Sequence, residues 1–241
     1  MIQNTRGIVL HFIKYSETSV IATIYTEKFG RQSFLIKGVR GKKSNIKANI
    51  LQPLFLLDME VYYKPMRDLQ SVKEVRNAFV FSTVPYDLRK SSIALFIAEI
   101  LYKTIREQEA NSELFEYLYH TIQMLDLKEE GISTFHLYFL LQLTKYLGFY
   151  PTNNYTETES YFDLKNGSFV SSKPMHPYYI NPILSEYFSK ILPYSENQHS
   201  EIKFNYQQRE VILDKIVDYY CLHNEGLKSV KSLAVLKEVF H

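Results

Sequence analysis

From Arg6 to about Phe81, apolar and polar positions alternate in short runs rich in β-branched and aromatic residues, the period of half-buried strands. Five runs can be drawn: Gly7 to Lys14, Ser19 to Thr26, Gln32 to Val39, Leu54 to Tyr63 and Leu69 to Val75. They are separated by Tyr15-Ser16-Glu17-Thr18, by Glu27-Lys28-Phe29-Gly30, by a long connection after the third run, and by Lys64-Pro65-Met66-Arg67-Asp68. Five short strands with one long connection after the third predict a small barrel of the OB type, and an SH3-like barrel fits the same strand count.

Beyond Pro85 the period becomes helical, with apolar positions Leu88, Ile93, Leu95, Phe96, Ile97, Ile100, Leu101 and Ile105 indicating a long helix. This shift predicts a division into residues 1–82, a barrel, and 83–241, a helical domain, so the fold class is α+β with two domains. A second helix is expected from Asn111 as N-cap, and a third from about Ser133 to Leu147, ended by Gly148 and Pro151. Near 155–180 the helical pattern stops. Tyr161 to Leu164 and Ser168 to Val170 flank Asn166-Gly167, a dipeptide suited to a tight turn, so a small β-hairpin insert is predicted there. Asn181-Pro182 has the form of an N-cap and first helical residue, opening a helix through Leu192. A further helix is expected over Tyr206 to His223, and the apolar spacing from Leu227 to Phe240 predicts a docked helical tail.

Composition narrows the classes. The chain has 241 residues, 46% of them hydrophobic, enough to fill two cores. Cys221 is the single cysteine, which excludes an internal disulfide and a multi-cysteine zinc site within the chain. The polar start, Met1 to Arg6, lacks the core of an export signal, and Ile132 to Tyr150 carries His136, Gln142 and Lys145, which fits a buried amphipathic helix better than a membrane span. A cytoplasmic protein with no membrane partner is expected.

Charge changes the picture most. Residues 1–80 hold 13 lysines and arginines against 6 acids, a balance of +7, and the rest of the chain is −5. Much of the excess lies in the run from Lys37 to Lys47, which has five cations (Lys37, Arg40, Lys42, Lys43 and Lys47), two glycines and no carboxylate. No acid occurs from Gly30 to Pro53. A run of like charge is often a solvated loop, but this one follows a strand of a barrel, and Arg6, Lys14 and Arg31 add to the same field. The pattern points to polyanions, above all nucleic acid. Phe12, Tyr15, Tyr25, Phe29 and Phe34 are candidates for base stacking, although alternation sends about half of such side chains inward.

Rival motifs fail on spacing. Gly41-Lys42-Lys43-Ser44 resembles the end of a P-loop, but the lysine is followed by Lys43 and the pattern's first glycine falls on Ile36. Gly38-Val39-Arg40-Gly41 fits a G-x-x-G clamp, which belongs between two helices rather than after a strand. The seven histidines form no H-x-x-x-H pair, and neither G-x-S-x-G nor G-x-G-x-x-G occurs. No catalytic residue, metal ligand or cofactor is assigned, and an enzyme is not expected.

The chain resembles the RecO family of bacterial recombination mediators along nearly its whole length. The resemblance is carried by Arg6-Gly7-Ile8-Val9-Leu10, Tyr15-Ser16-Glu17-Thr18, Phe29-Gly30, Lys37-Gly38-Val39-Arg40, Leu51-Gln52-Pro53, Leu147-Gly148-Phe149, the Phe162-Asp163 to Gly167-Ser168-Phe169 hairpin and Leu227-Lys228-Ser229. It implies an OB fold followed by a helical domain, binding of single- and double-stranded DNA, annealing of complementary strands, and cooperation with RecR in loading RecA onto strands coated by single-stranded DNA-binding protein. It also implies that the helical half grips the C-terminal tail of that coating protein. Lys103, Arg106, Lys145, Arg209 and Lys215 are nearby cations with no role assigned. Many members of the family carry four zinc-binding cysteines after the position of Pro151; Tyr155 to Pro177 here has none, so packing of Tyr155, Tyr161, Phe162, Tyr178 and Tyr179 is expected to order the insert instead. The expected DNA contacts are Lys37, Arg40, Lys42, Lys43 and Lys47, with Arg6, Lys14 and Arg31 secondary. A sequence-tolerant RNA-binding OB protein and a scaffold for an acidic protein partner are the alternatives.

Overall fold

The computed structural model describes residues 1–39, 48–193 and 204–241. They form two compact units, Met1–Leu127 and Lys128–His241. The first begins with five strands: β1 (Ile2–Lys14), β2 (Val20–Thr26), β3 (Gly30–Ile36), β4 (Leu56–Tyr62) and β5 (Leu69–Asn77). They close in the order β1-β2-β3-β5-β4, with β3 and β5 parallel and the other pairs antiparallel. This is the OB-type barrel expected from the strand pattern, and a short 3-10 turn, Ala48–Leu51, precedes β4.

β1 starts five residues before the predicted Gly7. Its first half, Ile2 to Ile8, pairs with β4, and its second, Gly7 to Lys14, with β2. The polar residues Gln3 and Asn4 hide the strand from a hydrophobicity reading, because here backbone pairing rather than apolar burial defines it. Val9, Ala22, Ile24, Phe34, Ile36 and Val61 fill the barrel, none of them exposed.

Two helices complete the first unit: α1 (Leu88–Thr104) and α2 (Ser112–Leu127). Asp87 caps α1 by accepting from the amides of Arg89 and Lys90, and Asn111 accepts from Leu114 as the sequence predicts for α2. The chain leaves the barrel through Ser82-Thr83-Val84, and a buried carboxylate at the end of α2 holds that turn. Asp126 accepts from the amides of Ser82, Thr83 and Val84 at 2.8–2.9 Å and from the Ser82 hydroxyl at 2.8 Å. Buried Lys90 donates to Thr83 Oγ1 at 2.7 Å and to the Asp126 carbonyl at 2.6 Å.

In the second unit the helices are α3 (Ile132–Tyr146), α4 (Pro182–Ile191), α5 (Tyr206–His223) and α6 (Ser232–Val239). α3 is buried along nearly its whole length, which explains the long apolar stretch in the sequence. Among the described residues no helix is long and apolar enough to cross a membrane. The insert is a three-stranded sheet, one strand more than the predicted hairpin: β6 (Tyr161–Asp163) lies between β7 (Ser168–Val170) and β8 (Tyr179–Ile180). Gly167 takes φ +66 against the Tyr219 ring, where a Cβ would meet the hydroxyl at 2.7 Å. Phe162 packs on Phe169 and Phe188 with ring centroids 4.9 and 4.7 Å apart, so a phenylalanine cluster forms the core of the insert. Tyr155 packs edge-on to Phe169, and Tyr161 to Tyr179, around it. The tail docks as α6: Leu236 is buried, and Lys237 bridges Asp214 and Glu210 on α5.

Burial opposes ionisation of Asp126, but the amides of Ser82, Val84 and Thr83 and the Ser82 hydroxyl outweigh it and hold the carboxyl at about 2. Its ordinary value is about 3.9, so its ionised form contributes roughly 2 kcal/mol above pH 4, lost as the pH falls through about 2. Thermal melting of Asp126→Asn should show a loss of about that size at pH 7 that narrows progressively below pH 4; an unchanged melting temperature would refute the role of this turn.

Candidate nucleic-acid interface

The basic run leaves the barrel at the end of β3. Lys37 is exposed, Gly38 turns the backbone at φ +72, and buried Val39 donates its amide to the Thr18 carbonyl at 2.8 Å. The run returns at the turn whose Leu51 is 1% exposed. Arg40, Lys42, Lys43 and Lys47 lie outside the described residues.

The Val39–Thr18 bond ties the β3 exit to the β1–β2 turn, itself closed by amides of Tyr15 and Ser16 donating to the Ser19 carbonyl. Lys14 stands at that turn. Strand register sets Lys14 opposite Val20 and Val20 opposite Ile36, so Lys14 and Lys37 emerge at the same end of three adjacent strands. Neither has an ion-pair partner among the described residues. Phe12 and Tyr15 are exposed beside them, at 37% and 62%. The other three aromatic candidates face elsewhere: Tyr25 and Phe34 are buried, and Phe29 stacks on Tyr63 at 3.8 Å.

Arg6 and Arg31 sit in a different setting. Arg6 donates from Nε and Nη2 to the two carboxylate oxygens of Glu27 at 3.0 and 2.9 Å, and also reaches Glu116 on α2. Its guanidinium lies 5.1 Å from the Phe115 ring centroid and 4.8 Å from that of Tyr119. The hydrogen bond with Glu27 raises the Arg6 pKa despite partial burial. Arg31 donates to the carbonyls of Tyr102 and Ile105, both at 2.7 Å, and lies over the Tyr102 ring at 4.6 Å. Those carbonyls are at the end of α1, where the helix leaves acceptors unsatisfied and a cation is favoured. Burial lowers the Arg31 pKa, although a guanidinium stays charged in any ordinary medium. Both arginines therefore join the barrel to α1 and α2.

In the sequence these arginines look like the loop lysines. Their partners lie far along the chain, Glu116 being 110 residues from Arg6, and no local pattern announces them. Of the cations left without a role, Lys103 pairs with Glu99, Lys145 lies over Tyr150, Arg209 donates to the Phe240 carbonyl and Lys215 lies 3.8 Å from Asp218. Among the described residues no group of three His, Cys, Asp or Glu side chains converges as a metal site would require.

Comparison with known proteins gives two family models. One described as Recombination protein O N terminal matches residues 1–81, and one described as Recombination protein O C terminal matches residues 85–234. The chain is 41% identical over 241 residues to a protein of Bacteroides fragilis and 39% identical over 240 residues to one of Phocaeicola vulgatus, covering 100% of each chain in both cases. A protein of Flavobacterium psychrophilum is 36% identical with 98% of each chain covered. All three are named DNA repair protein RecO.

Removing the Arg31 guanidinium strands the carbonyls at the end of α1. Arg31→Ala should therefore cost about 1–3 kcal/mol in chemical denaturation, with Arg31→Lys recovering only part because an ammonium lacks the forked geometry. Stability equal to the parent protein would show that these bonds do not hold the helix.

Proposed function

The chain belongs to the recombination protein O family, and from that premise we propose that it serves DNA repair and homologous recombination as a DNA-binding mediator. Residues 1–82 are the nucleic-acid-binding domain and residues 83–241 the helical domain in this reading. The protein holds single- and double-stranded DNA on its barrel, anneals complementary strands and, with RecR, helps RecA load onto strands coated by single-stranded DNA-binding protein. The helical half takes the C-terminal tail of that coating protein. The cytoplasm is the compartment that such a role implies.

The observation that carries this reading is the charge of the barrel end. Lys14 and Lys37 emerge together there beside exposed Phe12 and Tyr15, and the acid-free run with Arg40, Lys42, Lys43 and Lys47 begins at the same point of the chain. Cations of this density lower the repulsion between two phosphodiester chains, so complementary strands held on one surface can search for register and pair. That step breaks no covalent bond and requires neither a nucleotide nor a metal, and no enzymatic activity is proposed. Arg6 and Arg31 contribute to the field from within, since their charge persists while their donors hold the helices.

Titration of a labelled single strand, followed by fluorescence anisotropy, tests the proposal. If Lys37, Arg40, Lys42, Lys43 and Lys47 each neutralise one phosphate, log affinity should fall against log salt with a slope of roughly −3.5. Changing Arg40, Lys42, Lys43 and Lys47 to Glu should remove most of the affinity and most of that slope while leaving the melting temperature unchanged. Equal binding by this variant would exclude the basic run as the DNA site. Equal competition by RNA of the same length would favour an RNA-binding protein, and no binding at physiological salt would favour a protein scaffold.

A further inference from the structure

α6 is held to the second unit by few contacts. A helix of 8 residues gains little stability from its own hydrogen bonds, so its docking must come from packing. Its buried residues are Ser232 and Leu236, and Val235 on its outer side is 47% exposed. Lys237 reaches Asp214 at 2.7 Å and Glu210 at 3.2 Å on α5, but all three side chains are part-exposed and such pairs stabilise weakly. Beyond its last turn Arg209 donates to the Phe240 carbonyl at 3.3 Å, and the Phe240 ring lies 5.9 Å from the ring of His136 on α3.

α6 thus covers a histidine. His136 is 2% exposed, and it borders a gap of about 20 Å³ beneath α6 together with Arg209, Leu213, Leu236 and Phe240. The charged groups around that gap are unfavourable to a proton on the imidazole. Arg209 on α5 and Lys237 on α6 are cations, and Glu210, the acid, is already bound to Lys237. Tyr206 completes the lining on α5, with His241 packed on its ring at 4.8 Å. One turn away on α3 are Ile132, Ser133, Phe139 and Leu140, none of which carries charge. Burial, and after it the Arg209 charge, hold the His136 imidazole down at about 3.

We propose that α6 is a pH-gated clasp, docked over His136 while the imidazole is neutral and released when a proton enters beneath it in mild acid. Docking and protonation oppose each other, because a docked α6 leaves an imidazolium dry and beside a guanidinium. Once α6 lifts, water reaches the ring, which returns to its ordinary value of about 6.5. The open form therefore binds more protons between that value and about 3, so docking is at full strength above pH 6.5 and weakens as the pH falls below it. If the ordinary value is fully restored, the open fraction rises about 25-fold from pH 7 to pH 5. Glu210 is held below the usual carboxylate range by its hydrogen bond with Lys237, so that ion pair persists over the interval and does not supply the switch. The clasp lies wholly within Lys128–His241 and is independent of the DNA-binding reading above.

Amide hydrogen exchange of the full chain at pH 7 and pH 5, corrected for the chemical exchange rate at each pH, tests the clasp. Protection of Leu236 to Val239 should fall about 25-fold at the lower pH, while β2 and the middle of α3 stay within about twofold. His136→Phe keeps a ring that cannot ionise and should hold α6 protection within about threefold across the two pH values; His136→Gln serves the same purpose if that variant does not fold. His241→Gln should keep the fall seen in the parent. Equal protection of α6 at both pH values in the parent would overturn the proposal. So would a fall that persists in the His136 variant, a fall abolished by His241→Gln, or a fall shared equally by α3, which would mean that the whole unit opens.

Discussion

Closure of the sheet by one strand is the constraint on which the first unit depends. β1 must pair with β4 through its first half and with β2 through its second, and the two pairings overlap at Gly7 and Ile8. The strand bends there. A side chain at Gly7 would meet Ile24 Cγ2 at 2.6 Å and Met59 Sδ at 2.9 Å, so the bend is possible because that position carries no Cβ. The register shifts again between Val9 and His11, as an irregularity in the β1–β2 ladder. Register with β2 and β3, together with the Val39–Thr18 hydrogen bond, sets Lys14 and Tyr15 beside the exit of β3. Among the described residues every strand of the barrel has a neighbour on both sides, so a partner there would meet side chains and turns.

Charge is sorted by setting around this frame. Arg6 and Arg31 bind where a planar fork can satisfy several acceptors at once: a carboxylate with both oxygens in one case, two helix-terminal carbonyls in the other. Lys14, Lys37, Lys64 and Arg67 are at turns or strand ends and face water. Arg6 and Arg31 fix the helices to the barrel, whereas the rim cations have no ion-pair partner among the described residues. Polarity inside the barrel follows a similar logic, since Gln70 is 2% exposed and uses its whole amide to shape a turn that carries two of those cations.

The sequence made the five strands, the helical half and the caps at Asn111 and Asn181 legible because each has a local signature, periodicity or a capping residue. Contacts remote in sequence were not legible. The early start of β1 depends on its pairing with β4, the third strand of the insert on two residues, Tyr179 and Ile180, too few to show a period. The packing of α1 and α2 in one compact unit with the barrel follows from residues such as Arg31 and Asp126, whose partners lie some 40 to 74 positions away. Phe12 and Tyr15 could not be told from Tyr25 and Phe34 by type; position relative to the end of the sheet separates them, and that is a property of the closed barrel.

The central claim is that nucleic acid meets the barrel at the end where Lys14 and Lys37 emerge. Hydrogen–deuterium exchange of the full chain, with and without a single-stranded oligonucleotide, tests it most directly. Slower exchange in peptides covering Lys14 to Ser19 and Ile36 to Val39, with no change across the helices of Lys128–His241, is the expected result. Slowing confined to Lys128–His241, with the barrel turns unaffected, would contradict it.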